Sequence, residues 1–155
     1  MDSPVVWGID LGTTTGYAIR RGDDVLAIGA RRFSSSDARF AEAYEFFCKT
    51  AWKFQPSWVY YEDVRRHPSA TQANVYCGMR GVLFAALGAE AQQAAVVPVA
   101  VGTLKKFATG NGKAEKAEMV HAAALRWHYD LTHDEADALW VSEFGVQEVG
   151  MRRAA

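Results

Sequence analysis

The sequence predicts an α/β domain built on one five-stranded mixed sheet with helices on both faces, and three observations predict it. The run Val5-Val6-Trp7-Gly8-Ile9 is apolar for longer than a strand with one wet face allows, so it reads as a central strand buried on both sides. Two more short apolar runs follow it across turns, which gives an antiparallel meander of three strands. Over the rest of the chain helical and strand patterns alternate, as they do where a sheet is covered on both faces.

Taken in order, the first strand ends abruptly on Asp10. Thr13-Thr14-Thr15-Gly16 turns into a second strand over residues 17–20, and Arg21-Gly22-Asp23-Asp24 into a third over 25–31. Ser34-Ser35-Ser36-Asp37 supplies N-cap candidates for a helix to about Phe54, whose Phe40, Ala43, Tyr44, Phe47 and Ala51 recur at i, i+3, i+4 spacing. Pro56 stops that helix, and Trp58-Val59-Tyr60-Tyr61 forms a fourth strand that ends on Glu62. Pro68-Ser69 precedes a helix over 70–87, followed by a short fifth strand over 96–99 and a short helix over 103–108. A Gly-rich loop at 109–112 leads to a helix over 113–128. Thr132 and Glu135 fit the Thr-x-x-Glu capping box, which places a last helix from Asp134 to about Phe144.

A chain of 155 residues is read as one domain over 1–155, long enough to bury about 68–70% of its unfolded surface. No stretch approaches the ~20 apolar residues of a membrane span, and MDSPVVWGID lacks the basic start of a signal peptide. The expectation is a soluble, intracellular protein with no membrane partner. Cys48 and Cys77 form no metal or disulfide pattern and read as reduced thiols inside helices.

Formal charge is −1, which taken alone argues against a polyanionic partner. Its distribution argues otherwise. Residues 65–81 hold Arg65, Arg66 and Arg80 with no acid, and residues 101–116 hold Lys105, Lys106, Lys113 and Lys116 against Glu115 alone. With four acids neutralised by metal, the −1 becomes +3, and DNA meets a positive surface. Each basic cluster taken singly also fits a solvated face.

The acids in question are Asp10, Glu62, Asp134 and Asp137. Alternation along a strand puts Gly8 and Asp10 on one face, as it does Tyr60 and Glu62, so adjacent strands bring the two acids together. Asp134 and Asp137 are neighbours on one helix surface, near the positive end of its dipole. Clustered oxygen ligands without Cys or paired His select Mg²⁺ or Mn²⁺ over zinc. Two such ions about 3.5–4 Å apart serve phosphodiester hydrolysis. Asp134 alone also fits an ordinary first-turn acid, and Glu62 or Asp63 the end of an exposed strand. Asp137 does not fit so easily, because it falls where the sheet-facing side of the helix should be apolar.

Together, Ile9-Asp10, Tyr61-Glu62-Asp63-Val64, Gly110-Asn111-Gly112-Lys113-Ala114-Glu115-Lys116 and Asp134-Glu135-Ala136-Asp137-Ala138-Leu139 resemble the RuvC-type Holliday-junction resolvases of the ribonuclease H-like superfamily. The similarity runs in order from Val5 to about Phe144. It implies a ribonuclease H-like fold and a homodimeric endonuclease in the cytoplasm of a bacterium or phage-infected host. Such an enzyme resolves four-way or branched DNA with Mg²⁺, or Mn²⁺ as substitute, leaving 5′-phosphate ends. It also implies that Asp10, Glu62, Asp134 and Asp137 hold the metal and that Lys105 and Lys116 lie near the scissile phosphate. Arg65, Arg66, Arg80, Lys106 and Lys113, with Lys105, then become contacts to DNA. Arg80-Gly81-Val82 resembles the family's Arg-Gly-Val on the helix at the dimer contact. Gly78, Gly81, Ala85 and Gly88 leave one side of that helix small, for a second chain or for this chain's own packing.

At two places the sequence departs from bacterial members. Arg65 stands where they carry a junction-stacking aromatic, so that Arg65, Arg66 and His67 take that place with different contacts. Leu11-Gly12-Thr13-Thr14-Thr15 replaces an Asp-Pro-Gly turn and looks more like phage-encoded relatives.

Two other readings compete. Gly8-Ile9-Asp10-Leu11-Gly12-Thr13-Thr14 also resembles the phosphate hairpin of sugar kinases and actin-like ATPases, but those bind ATP between two large domains, and a second phosphate hairpin is missing here. The other is a non-catalytic module that binds branched DNA, against which the four intact acids argue.

Overall fold

The computed structural model describes residues 2–155. The chain opens with β1 (Val5–Asp10), β2 (Thr14–Arg21) and β3 (Asp24–Arg32), then α1 (Ala38–Phe54), β4 (Trp58–Asp63), α2 (Ala70–Glu90) and β5 (Ala95–Ala100). It closes with α3 (Val101–Thr109), α4 (Lys116–Trp127) and α5 (His133–Ala154). The five strands form one sheet in the order β3-β2-β1-β4-β5. β1 pairs antiparallel with β2 and parallel with β4, and β4 pairs parallel with β5. The central position of β1 explains its unbroken apolar run, since both of its faces are covered.

Strand alternation sorts the side chains into two layers. Trp7, Ile9, Ile19, Val59 and Tyr61 point to one side, where they pack with Phe47 of α1 and with Met79 and Leu83 of α2. Val6, Tyr60 and Val99 point to the other, against Leu104 of α3, Met119 of α4 and Trp140, Val141 and Val149 of α5. Asp10 and Glu62 belong by the same alternation to the α5 side. They fall one step past Ile9–Tyr61, the last pair of the parallel β1–β4 ladder.

Helix α5 lies directly on the sheet because side chains are missing where it crosses. A Cβ on Gly8 would fall 2.4 Å from the backbone nitrogen of Ser142 and 2.6 Å from the carbonyl oxygen of Ala138. One on Gly16 would fall 2.0 Å from the carbonyl oxygen of Asp134, and one on Gly145 within 2.7 Å of the Tyr60 ring. Asp134, Ala138 and Ser142 on the helix thus face Gly8 and Gly16 on the strands, where backbone meets backbone, while Gly145 makes room for the side chains of Tyr60 and Val6.

A buried ion pair fixes the same contact in rotation. Arg20 of β2 places Nη1 3.0 Å from Oε2 of Glu143 on α5, with side-chain exposures of 1% and 4%. The two atoms are within ion-pair distance but do not meet hydrogen-bond geometry. Glu143 Oε1 accepts hydrogen bonds from Arg126 (3.3 Å) and Gln147 (2.8 Å), and Arg20 Nη2 donates to the carbonyl of Gly22 (3.0 Å). Burial pushes the Glu143 carboxyl up, but the Gln147 bond and the two guanidinium groups outweigh it and hold the group below the usual carboxylate range. Removing one partner of such a pair costs about 3–5 kcal/mol, because the other charge stays buried.

Several element boundaries differ from the sequence reading. The serine-rich cap of α1 is not used as expected: Asp37 has helical backbone and makes no side-chain cap, while Ser34 Oγ donates to Glu42 (2.9 Å). Helix α4 starts at Lys116 rather than 113, because Asn111 Oδ1 accepts from the Lys113 amide (3.0 Å) and keeps that segment in a turn. Glu118 then accepts from the amide of Glu115 (2.6 Å). Helix α5 does not end near Phe144 but runs to Ala154. Its second half is held by buried Gly145 and Val149 and by the Tyr60 hydroxyl, which donates to Glu148 (2.6 Å). The Thr132–Glu135 capping box forms as the sequence predicts, and Ser69 caps α2 by accepting from the Gln72 amide (3.2 Å).

The small side of α2 divides. At Gly78 an added Cβ would fall 2.4 Å from the Phe40 ring of α1, so that glycine serves packing within the chain. Nothing lies within 4 Å of Gly81 or Gly88. Together with exposed Cys77, Ala85 and Phe84, the last 46% accessible, they form an outward apolar face. Among the described residues no helix is long and apolar enough to cross a membrane.

Replacing Gly8 by Ala should therefore destabilise the protein by about 1–3 kcal/mol or more. Gly81→Ala should leave the fold of the single chain unchanged in stability or stabilise it by up to about 1 kcal/mol, since helix propensity improves and no contact within the chain is met. Urea denaturation of both variants checks this, and equal stability of Gly8→Ala and wild type would mean that α5 does not sit on β1 in this way.

Candidate active site

Asp10 is carried to the end of β1 by the central strand, and Glu62 to the end of β4 beside it. Asp134 and Asp137 come from the first two turns of α5, whose start is set by the Thr132–Glu135 box. All four line one cleft of about 670 Å³, with Lys116 at the first residue of α4. A smaller opening of about 120 Å³, lined by Lys105, Lys116, Glu62 and Asp137, lies between α3, α4 and the acids.

The electrostatics confirm that the acids feel one another. Burial, and then the charges of Glu62, Asp137 and Asp134, raise the Asp10 carboxyl well above the usual carboxylate range, against a smaller opposite effect of Lys116. Asp10 still keeps some open surface in the cleft. Burial raises Glu62 as well, opposed by Lys105 and Lys116. Asp137 is pushed up to about 7 by burial, then by Glu62 and Asp134, with His133 and Lys116 pulling the other way. Its Oδ1 is buried without a hydrogen-bond partner.

Such an orphaned buried carboxylate oxygen, in an all-oxygen set of acids, suits a hard divalent cation. Among the described residues, however, no three His, Cys, Asp or Glu side chains already stand close enough to grip one ion.

The other residues singled out by sequence are distributed unequally. Arg66 and His67 line the cleft. Arg65 does not: its Nε lies 2.9 Å from Oδ2 of Asp63 and its side chain is 84% exposed. Lys106 and Lys113 are exposed on α3 and the following turn, outside the cleft lining. Arg80 sits on α2 near the Tyr61 and Tyr76 hydroxyls, outside the cleft lining.

Three cleft residues were not legible in the sequence. Tyr76 of α2 donates its hydroxyl to the carbonyl of Glu62 (2.7 Å) and accepts from the amide of Val64 (3.1 Å), pinning the end of β4. Burial raises that hydroxyl to about 12, so it remains a donor. His133 lies 3.5 Å from Asp134, and its position just before the first acid of Asp134-Glu135-Ala136-Asp137 was the only signal for it. Arg39 enters the cleft from the first turn of α1 and donates to Thr13 Oγ1 (3.0 Å).

With this geometry in hand, the likeness to solved structures is clear at the level of fold. Thermus thermophilus RuvC bound to a Holliday junction substrate superposes with a TM-score of 0.77 at 20% identity, over 90% of each chain. Another Thermus thermophilus RuvC structure gives 0.75 at 19%, over 97% of this chain and 96% of that one. The yeast mitochondrial Holliday junction resolvase Ydc2 gives 0.67 at 14%, over 92% of this chain and 77% of that one. The chain thus has the RuvC-type, ribonuclease H-like fold. No protein-family model matches the sequence, and no curated protein is significantly similar to it.

The raised carboxyls make a prediction about pH. Asp137 rises from an ordinary 3.8 to about 7, so between these values the folded protein holds a proton that the unfolded chain has lost. Stability therefore falls as pH rises through that window, and the whole deficit is present above pH 7. In metal-free buffer at pH 8, Asp137→Asn should be more stable than wild type by on the order of 2 kcal/mol, and the difference should vanish near pH 4. Thermal melts of both proteins across pH 4–8 test this; a pH-independent difference would mean that Asp137 is not held protonated by its surroundings.

Proposed function

We propose that residues 1–155 form one nuclease domain that hydrolyses phosphodiester bonds in four-way or otherwise branched DNA, making paired nicks with Mg²⁺ and with Mn²⁺ as substitute. The observation that carries this reading is the meeting of Asp10, Glu62, Asp134 and Asp137 from three distant chain segments in one cleft beside Lys116. The shared fold supports it, since the structures of that fold include a RuvC solved on a Holliday junction substrate.

In this reading the four carboxylates hold the divalent ions, and the buried, unsatisfied Oδ1 of Asp137 is one ligand atom. When bound, two such ions supply Lewis acidity and make water a better nucleophile at neutral pH. Water attacks phosphorus in line and the bond to the 3′ oxygen breaks, leaving a 5′-phosphate and a 3′-hydroxyl. Lys116 faces the charge that develops on the phosphoryl oxygens, and Lys105, in the adjoining opening, is the second cation near that phosphate. Arg66 and His67 receive the neighbouring backbone inside the cleft, and Lys106, Lys113 and Arg65 hold phosphates further out. Arg65, tied to Asp63, stands with Arg66 and His67 where the resemblance places an aromatic ring at the junction's branch point. The outward face of Gly81, Ala85, Phe84 and Gly88 is the proposed dimer contact, with Arg80 at its edge. A two-fold dimer would match the two-fold symmetry of a four-way junction.

The direct assay incubates the protein with labelled four-way junction, flap and linear duplex in Mg²⁺. Nicking of the branched substrates is the expected result; binding without nicking in either metal would favour a non-catalytic module, and stabilisation by ATP a kinase-like one. Asp10→Asn should lower the nicking rate by at least about 100-fold, of the order seen when a group that stabilises transition-state charge is lost, while junction binding persists. Near wild-type cutting by that variant would refute the metal assignment. Lys106→Ala should weaken binding on all sequences alike and flatten its salt dependence by about one unit of slope, whereas an unchanged slope returns Lys106 to the solvated surface.

A further inference from the structure

We infer that Arg39 and Thr13 form a phosphate clasp on the wall of the cleft, holding a backbone phosphate of the cut strand next to the scissile one. This rests on the branched-DNA reading above and adds a substrate-binding site to it.

Helix stability gives no reason for Arg39. It lies in the first turn of α1, where the helix dipole disfavours a cation, and no acid stands in that turn to offset it. Among the described residues no carboxylate lies within 4 Å of its guanidinium, so its charge has no ion-pair partner in a cleft that holds four acids together with Arg66 and Lys116. The group is nonetheless fixed. Nε donates to the carbonyl of Ser36 (2.9 Å), Nη1 to Thr13 Oγ1 (3.0 Å) and Nη2 to the carbonyl of Ser35.

A guanidinium has five N–H donors. Three are committed, which leaves one on each Nη free to donate to an oxyanion. Thr13 Oγ1 accepts from Arg39, so its own O–H remains to donate to the same oxyanion. The site is preorganised because its donors need no rearrangement to bind. Both residues line the cleft that holds the acids, and the turn containing Thr13 follows directly on Asp10. A phosphate gripped there lies beside the one presented to the acids. Arg66, His67, Thr71 and Gln72 line the cleft from the β4–α2 side, so the DNA strand runs between two polar walls.

The test uses the full chain and a labelled four-way junction. Binding is followed across a salt series in metal-free buffer, and nicking in Mg²⁺. Arg39→Ala should weaken binding and reduce the salt slope by about one, and should raise KM several-fold with little change in kcat. Arg39→Lys should keep the slope but recover only part of the affinity, because it restores charge without the fork. Thr13→Val should raise KM with the slope unchanged. If the Arg39→Ala chain does not fold, the split between slope and affinity in Arg39→Lys and the KM of Thr13→Val decide the matter. A wild type that nicks, together with variants whose slope and KM are unchanged, would overturn the clasp and leave the nuclease reading standing. A wild type that neither binds nor nicks overturns both.

Discussion

The structure depends on a contact from which side chains are excluded. Helix α5 can carry Asp134 and Asp137 to the end of the sheet only because Gly8 and Gly16 offer bare backbone beneath Ala138, Ser142 and the carbonyl of Asp134. Any Cβ at either glycine would lift the helix away and take two of the four acids with it. The sheet supplies the other two by register alone, since Asp10 and Glu62 follow directly on Ile9 and Tyr61, the last pair of the β1–β4 ladder. Arg20 and Glu143, buried further along the same helix, resist its rotation or sliding. Tyr76 plays a similar part for Glu62 from the opposite layer.

This arrangement opposes stability at the point where it gathers the acids. Burial raises three carboxyls, and neighbouring acids raise Asp10 and Asp137 further, so folding withdraws from water charges that the unfolded chain would keep solvated. A protein tolerates such strain where function requires it and compensates elsewhere. Here the compensation is visible in two complete apolar layers, with Trp7, Phe47 and Met79 on one side of the sheet and Tyr60, Leu104 and Val141 on the other.

Much of this was legible in the residues. An apolar run too long for an edge strand and ending on an acid marks a buried central strand with its carboxylate at the mouth of a site, and β1 and β4 both follow that rule. The Thr132–Glu135 box located the start of α5 because capping is local chemistry. What escaped was non-local. The length of α5 depends on Val149 and Glu148 meeting the sheet, which no helical periodicity past Phe144 announced. The charge pair Arg20–Glu143 spans more than a hundred residues of sequence, and a buried Arg on a strand reads locally as a strand end. Gly8 and Gly16 looked like features of a strand and a turn, although their function lies in what crosses above them. Basic residues were the least legible, because a cluster in sequence need not be one in space: Arg66 entered the cleft while its neighbour Arg65 turned to Asp63, and Arg39 entered from a segment with no basic cluster at all.

The central claim is that four distant acids act as one divalent-cation site. Calorimetric titration of the protein with Mn²⁺ at pH 7, in two buffers of different ionisation enthalpy, tests it most directly. Saturable binding should release protons from the raised carboxyls, and Asp10→Asn should weaken the binding and reduce the number of protons released. Binding absent from the wild type, or unaltered in strength and proton count by Asp10→Asn, would contradict the account.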